Sequence, residues 1–449
     1  MPISPGTPSS RSLLSRGGLA LLAGVLALGL FTAALAARSE EYSFEPSETE
    51  KKPYRFGGYA EMRPILFDLD RGAALYKTRF YDRRVSDPLS QQSFTLQLDA
   101  GFEWNAWKAF ARIQNLLDHT YDGWSEDTKP YEAYLAAKPS PSLAVTAGKF
   151  TAKWGKGYAW NPVAFVDRPK DPDDPELNLE GFYMAGFDFI KSMDGPLRTV
   201  SFSPLLLPVD HGLNRDFGES GHINVAAKVY VLLYDTDIDL MVLKGDSRPD
   251  RFGFDFSRNI TTNLEIHGES AWIDDVRLKK VNAAGAVSES EIDAWSGLVG
   301  LRYLSRIDTT YILEYYRNGT GYSGSEAREF FTFVDRAYDA YVTAGNAAPI
   351  RKAANLTQGA YGRSNPLRDY LYFRVSQKEP FDILYFTPAV TTILNLDDRS
   401  FSLSPELLYT RITNLELRLK GVLLHGGRGS EYGEKPTDGR LELRLRYSF

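Results

Sequence analysis

The feature of this sequence that most constrains its fold is a strict alternation of apolar and polar residues. The last nine residues, LELRLRYSF, place leucine, tyrosine or phenylalanine at every odd position and glutamate, arginine or serine at every even one. Residues 415–420 (LELRLK) and 93–104 (SFTLQLDAGFEW) repeat the pattern. Successive side chains of a β-strand point to opposite faces. The alternation therefore predicts strands with one apolar face and one charged face.

Eighteen such segments can be placed in residues 54–449, and the connectors between them alternate in length. Most odd-numbered connectors are long: 68–92, 117–129, 151–180, 206–221, 274–293, 318–367 and 425–438. Two of them are short, 245–250 and 394–397, and the even-numbered ones are tight turns such as 105–106, 138–142, 234–235, 259–260 and 378–380. Bacterial outer-membrane barrels have short periplasmic turns, long extracellular loops and an even strand count. We expect an all-β, transmembrane, antiparallel up-and-down β-barrel of eighteen strands, with sixteen left open by the two short connectors.

The N-terminus has the parts of a secretory signal peptide. Arg11 and Arg16 precede the apolar run 17–31, and a small-x-small cleavage sequence, ALA, follows. A membrane anchor is the alternative, but the run is near the short end of what can span a bilayer. We expect residues 1–36 to be a signal peptide and the charged, proline-containing residues 37–53 to be a flexible periplasmic segment.

Composition excludes several functional classes. The chain has no cysteine, so disulfides, thiolate chemistry and lipoprotein attachment are excluded. Its formal net charge of −6 argues against a nucleic-acid partner. No stretch after the N-terminal one approaches the length of apolar sequence that a transmembrane helix needs. No sequence motif indicates a cofactor.

The end of the chain resembles the C-terminal signal strand of bacterial outer-membrane proteins. It ends in Phe449, with Tyr447, Leu445 and Leu443 at every second position before it. The resemblance implies an outer-membrane location with the N-terminus in the periplasm, contact with outer-membrane lipid, and recognition by the outer-membrane assembly machinery. Within this class, eighteen strands and a charged lumen are similar to substrate-specific porins and alginate-export-type barrels. No motif identifies the subfamily, so no functional residue is carried over.

The connector 151–180 is the most distinctive stretch of the sequence. It begins with lysines, glycines and aromatic residues (TAKWGKGYAW) and becomes acidic and rich in proline (DRPKDPDDPE). We predict that it folds into the lumen as a constriction; a rigid surface loop and a calcium site of clustered carboxylates are the alternatives. The constriction candidates are Lys153, Trp154, Lys156, Arg168, Lys170, Asp171, Asp173 and Asp174.

Alternation also places a set of charged residues on the lumen side of the strands. The candidate pore-lining residues are Lys108, Arg112, Arg302, Arg374, Arg418, Lys420, Arg444, Arg446, Asp99, Glu103, Glu265 and Glu269. One interpretation is a basic stripe that orients anionic solutes past acidic residues. The other is that these charges pair across neighbouring strands and only keep the wall polar.

An enzymatic site or a metal centre is not predicted. The five histidines are dispersed and lie in no nucleophile or metal motif, and no phosphate-binding glycine loop is present. The sequence therefore favours a passive, selective outer-membrane channel for small hydrophilic solutes, with a slight preference for anions. The alternatives are an exporter of an anionic polysaccharide and a barrel that forms a scaffold or sheath for a partner protein. The sequence does not indicate an oligomeric state.

Overall fold

The structure, a computed structural model, describes residues 52–449. It contains eighteen strands. These are β1 Tyr54–Leu69, β2 Leu89–Trp104, β3 Trp107–Thr120, β4 Gly123–Ser140, β5 Leu143–Phe150, β6 Phe182–Ser192, β7 Leu197–Val209, β8 His222–Leu233, β9 Thr236–Lys244, β10 Arg251–Thr261, β11 Leu264–Val281, β12 Val287–Leu304, β13 Thr309–Arg317, β14 Asp369–Gln377, β15 Phe386–Asn395, β16 Phe401–Tyr409, β17 Leu415–His425 and β18 Thr437–Ser448. The predicted signal peptide 1–36 lies outside the described residues, as does the segment 37–53 except for its last two residues.

The eighteen strands form one closed antiparallel barrel. Each strand pairs with its neighbours in sequence, and β1 closes the sheet by pairing with both β2 and β18. Met62 of β1, for example, lies opposite Phe94 on one side and Leu445 on the other. Closure leaves no unpaired sheet edge, which a sheet in hydrocarbon requires because lipid cannot bond to free backbone groups. The predicted fold class and the strand count of eighteen are confirmed.

The barrel is apolar outside and polar inside. Leu441 and Leu443 of β18 are 50% and 40% exposed on the outer surface, whereas Glu442 and Arg444 are 5% and 3% exposed. Such an arrangement would be unstable in water but suits a strand with lipid on one side and a polar lumen on the other. Trp104 and other exposed aromatic residues lie near the ends of the strands, as in an interfacial girdle.

The two ends of the barrel differ. At one end, the turn end, the strands are joined mostly by short turns, and Tyr54 and Ser448 both lie there. At the other, the loop end, the connectors include residues 70–88, 151–181, 318–368 and 426–436.

Two predicted long connectors are wrong. Residues 117–129 contain only a two-residue turn between β3 and β4, and 274–293 contain only a five-residue turn between β11 and β12. These strands extend beyond the apolar band, where many residues on both faces are exposed. Polar side chains on both faces erase the alternation, so the sequence resembles a loop. The turn predicted at 259–260 lies instead at 262–263.

Three α-helices lie in the loop-end connectors of the described residues: α1 Ala74–Phe80, α2 Gly324–Ala344 and α3 Ala348–Thr357. Helix α2 begins with a capping box formed by Ser323 and Glu326 and ends at Gly345 in the left-handed conformation. Its buried face, including Phe330 and Val334, belongs to an apolar cluster shared with the barrel wall. Among the described residues, no helix is long and apolar enough to cross a membrane.

Candidate functional site: the lumen loop and the vestibule

Residues 151–181, here called the lumen loop, cross the interior of the barrel. The loop leaves β5 and returns to β6, but its side chains and backbone contact strands on the far side. Lys156 bonds to Asp239 of β9, and Asp174 bonds to Arg444 of β18. The loop therefore lies within the lumen, as the constriction hypothesis requires, and not on an outer surface.

The first part of the loop is held by a carboxylate from the wall. Glu269 of β11, which is buried, accepts hydrogen bonds from the backbone N–H groups of Lys156 and Gly157, both at 2.6 Å, and of Val163 at 3.3 Å. The Asn161 side-chain amide donates a further bond at 3.0 Å. A concave run of backbone N–H groups is a natural anion site. Here a side chain of the barrel occupies it.

Glycine is required at two positions of the lumen loop where the backbone surrounds the Glu269 carboxylate. Gly155 has φ +95°, and a Cβ atom there would lie 2.9 Å from a Glu269 oxygen. At Gly157 a Cβ atom would lie 2.1 Å from the carbonyl oxygen of Trp160. The two glycines of the WGKG sequence therefore let the backbone wrap closely around the carboxylate.

A second wall carboxylate continues the anchoring. Glu314 of β13 accepts bonds from the backbone N–H groups of Tyr158 and Ala159, the latter at 2.9 Å. It also lies 2.9 Å from the His267 ring. Lys170 closes the turn from within the loop by donating to the Gly157 carbonyl at 2.7 Å. Burial lowers the pKa of Lys170.

Apolar packing fixes the middle of the loop. Trp154, Val163 and Phe165 are buried against inward-facing residues of β6 to β9, such as Met184 and Leu207. These strands are therefore apolar on part of their inner face as well as outside. The backbone of Lys153 has φ +57° just before Trp154 enters this cluster. Arg168 binds Glu180 and Asp216 at the edge of the same region.

The acidic tip of the loop meets the basic residues of the last two strands. Asp174 lies 2.6 Å from Arg444 and 3.9 Å from Arg418, and Asp173 lies 3.4 Å from Arg440. Lys420 donates to the backbone carbonyl of Asp173. Burial of Asp174 opposes its ionisation, but Arg444 and Arg418 outweigh that effect and lower its pKa. The clustered carboxylates of the loop thus bind arginines.

Asp171, by contrast, accepts a bond from the backbone of Asp173 and has no arginine partner within 4.0 Å among the described residues. Partial desolvation by the surrounding barrel, together with the charge of Asp173, raises the pKa of Asp171. Within residues 52–449, no group of three or more histidine, aspartate or glutamate side chains is arranged to hold a metal ion.

Most of the candidate pore-lining bases have carboxylate partners. We call these pairs, with those at the loop tip, the wall network: Arg112 with Asp99 and Glu132, Arg374 with Glu406, Arg418 with Glu406 and Glu416, Arg444 with Glu442 and Asp174, and Arg446 with Glu61. Lys108 and Glu103 pair at 3.4 Å close to the turn end. Arg302 lies opposite Glu265, which itself lies 3.5 Å from His267.

A cavity of about 1770 Å³ lies at the loop end, above the lumen loop. We call it the vestibule. Its walls come from the lumen loop, the connectors 210–221 and 245–250, the ends of β11 and β12, and the connector that carries α2 and α3. Seven basic residues that sequence reasoning missed line it. Arg277 and Lys279 of β11 pair with Glu291 and Glu289. The other five lie in no ion pair with a described residue: Arg248, Arg251, Arg351, Lys352 and Arg363. They come from separate connectors and one strand end, so no periodic pattern marks them.

No family model matches this chain. No curated protein matches it either. Among solved structures, the chain is similar to Acinetobacter baumannii OccAB1, with 10% identity over 88% of this chain and 96% of that one, and a TM-score of 0.51. It is also similar to Pseudomonas aeruginosa OccK5 (OpdH), with 11% identity, 88% and 98% coverage and a TM-score of 0.47. A third is a triple mutant of Rhodopseudomonas blastica porin, with 9% identity, 88% and 100% coverage and a TM-score of 0.44. The chain has the fold of the porin-like outer-membrane β-barrels.

Proposed function

We propose that this protein is a passive outer-membrane channel for small hydrophilic solutes. The observation that carries the proposal is a closed, inside-out barrel whose polar interior is narrowed by its own anchored loop. Barrels of this strand number enclose an aqueous lumen. The vestibule gives a solute a space of about 1770 Å³, lined by both charged and apolar residues, before it reaches the lumen loop.

The loop end faces the outside in this proposal, and the turn end faces the periplasm. Both Tyr54 and Ser448 lie at the turn end, which agrees with a periplasmic N-terminus and with the usual polarity of such barrels. Strand β18, followed by Phe449, presents its apolar face outward and is the part of the chain that the assembly machinery would recognise.

A slight preference for anions is the finer part of the proposal. The wall network contributes little to it, because each of its arginines faces a carboxylate. The support comes from the vestibule, where the five basic residues named above lie in no ion pair with another described residue. Basic residues at a pore mouth raise the local concentration of anions.

The two alternatives fit the geometry less well. An exporter of an anionic polysaccharide needs a continuous track of available positive charge, whereas the basic residues of β14, β17 and β18 are mostly engaged by carboxylates. A sheath around a partner protein needs an empty lumen. The lumen loop ties β5 and β6 to β9, β11, β13 and β18, so a partner could enter only if those contacts were broken.

The test is single-channel recording of the refolded full-length protein in planar bilayers, with reversal potentials measured in a salt gradient. We expect a stable conductance with a small anion preference. Replacing residues 155–176 by a short glycine–serine linker should increase the conductance and decrease its selectivity. A silent bilayer with the intact chain at all voltages would contradict the proposal.

A further inference from the structure

Three arginines in the vestibule lack the partners that arginines in the wall have. Arg248, Arg251 and Arg363 all line the vestibule, and none has a carboxylate within 4.0 Å among the described residues. Asp216, whose charge acts on Arg248, is bound by Arg168. Unpaired guanidinium groups that share one cavity are costly to the fold, because like charges repel and the desolvation is not compensated.

The three charges are close enough to affect one another. Burial and the neighbouring Arg251 charge lower the pKa of Arg248. Arg251 in turn experiences the positive charge of Arg363. Arg248, Arg251 and Arg363 come from a connector, a strand end and the connector that carries α2 and α3, so the fold itself brings them together.

Arg248 is positioned by contacts with Phe217, and Arg251 has a hydrogen-bond donor without a partner. The Arg248 guanidinium lies over the Phe217 ring at 3.8 Å and donates to the backbone carbonyl of Phe217. The Nε of Arg251 is buried and has no hydrogen-bond partner within the described part of the chain. The guanidinium of Arg251 thus lacks an acceptor within the fold, and an anion in the vestibule can bond to its terminal N–H groups.

None of the acidic residues that line the vestibule has a carboxylate oxygen within 4.0 Å of these three guanidinium groups: Asp167, Glu219, Asp246, Asp275 and Glu291. Asp167 is buried and accepts bonds from the backbone N–H groups of Ala152 at 2.7 Å and Trp154 at 3.0 Å. Glu291 pairs with Arg277 at 3.0 Å. The exposed Arg351 and Lys352 of α3 add two more positive charges to the same cavity.

We propose that Arg248, Arg251 and Arg363 form a binding site for a phosphate group, either inorganic phosphate or the phosphate of a small organic solute. The inference rests on the proposed channel function and adds the chemical class of a solute. Planar guanidinium groups bind oxyanions through paired hydrogen bonds. A phosphate carries up to two negative charges and three or more acceptor oxygens. Three arginines that line one cavity match it better than they match a single carboxylate.

The test uses isothermal titration calorimetry on the refolded full-length protein in detergent, with inorganic phosphate, glucose 6-phosphate and glucose as ligands. Phosphate and glucose 6-phosphate should bind, and glucose should not. Equal affinity for the two phosphates would assign the site to the phosphate group alone. Tighter binding of glucose 6-phosphate would assign it to organic phosphates. Binding of glucose as tight as that of glucose 6-phosphate, or no binding of either phosphate, would overturn the proposal.

Two variants and one control locate the site. Arg363→Gln and Arg251→Gln should each weaken phosphate binding about tenfold or more, since each removes a charge-assisted bond. Arg277→Gln is the matched control, because Arg277 lines the same cavity but is paired with Glu291. An equal loss of affinity in Arg277→Gln would show that only the general charge of the vestibule matters, and would overturn the assignment. Arg363 is exposed, so its variant tests the site even if Arg251→Gln does not refold.

The same protein in planar bilayers separates this inference from the proposed function. If the channel conducts potassium chloride and phosphate decreases that current in the wild type but less in Arg363→Gln, both stand. If it conducts and calorimetry detects no phosphate, only the phosphate site fails. If phosphate binds but the bilayer is silent, the site stands and the channel function fails.

Discussion

The wall network and the vestibule contain similar residues in opposite electrostatic states. In the wall, Arg444 is 3% exposed and contacts Asp174 and Glu442. In the vestibule, Arg251 and Arg363 have no carboxylate partner among the described residues. The comparison teaches that arginine in a barrel interior can serve the fold or a ligand. Its partners in the structure, more than its presence, distinguish the two uses.

The largest effect should follow from removing an arginine of the wall network. Arg444→Ala leaves the buried carboxylate of Glu442 without its partner and leaves Asp174 only the more distant Arg418, at 3.9 Å. Breaking a buried pair in this way costs about 3–5 kcal/mol. Urea unfolding in lipid vesicles measures it. The matched control is Arg440→Ala, whose pair with Asp173 is more exposed and should contribute about 0.2–1 kcal/mol. Equal losses in the two variants would remove the distinction between buried and exposed wall pairs.

The next effect concerns the anchor of the lumen loop. Glu269→Ala removes the acceptor for three backbone N–H groups and one side-chain amide. Each donor left unsatisfied costs about 1–3 kcal/mol where water does not reach it. We expect lower stability and a larger, noisier single-channel current, because the lumen loop is no longer hydrogen-bonded to β11. The control is Glu265→Ala, on the same face of the same strand. If the current of Glu265→Ala were as noisy as that of Glu269→Ala, the role of Glu269 as the anchor of the lumen loop would be refuted.

A third, smaller effect should appear in the pH dependence of stability. The pKa of Asp174 lies below its unfolded value of 3.8, so its stabilising contribution is full above pH 3.8 and is lost as the pH falls through the lowered pKa. Asp174→Asn should therefore be less stable than the wild type at neutral pH, and the difference should shrink below pH 3.8. Unfolding curves at a series of pH values would measure it. A difference that stays constant down to pH 2 would show that Asp174 does not act through its charge.

The smallest effect is expected in the vestibule. Arg363→Ala removes an exposed charge that has no ion pair with a described residue, so stability should change by less than about 0.5 kcal/mol in phosphate-free buffer. Adding phosphate should stabilise the wild type and leave the variant almost unchanged. A large loss of stability without phosphate would mean that the vestibule arginine serves the fold, as the wall arginines do.

The faces of many strands could be predicted from the sequence. Glu442 and Arg444 point inward and Leu441 and Leu443 outward, as the alternation indicates, because lipid and a polar lumen select opposite residue types. The same rule fails in β6 to β9, where the lumen loop covers inner residues such as Met184 and makes both faces apolar.

Neither the path of the lumen loop nor the vestibule site could be predicted from the sequence, and the reasons differ. Glu269 alternates inward like any other acidic residue of the wall, and nothing in its position shows that its partners are backbone N–H groups. The pairing of Arg444 with Asp174 joins residues that are far apart in the chain. Arg248, Arg251 and Arg363 come together only through the placement of three separate segments.

The anchoring of the lumen loop through its backbone has a consequence for how selectivity could change. Glu269 and Glu314 bind N–H groups that every residue type except proline provides. Apart from Gly155, Gly157 and residues whose own side chains are bonded, such as Lys156, Asn161 and Lys170, pore-facing residues of this stretch can be exchanged without altering the bonds that define its path. The backbone path of the loop is thus fixed, while some of its side chains can vary. Solute preference can therefore evolve, or be engineered, independently of the fold.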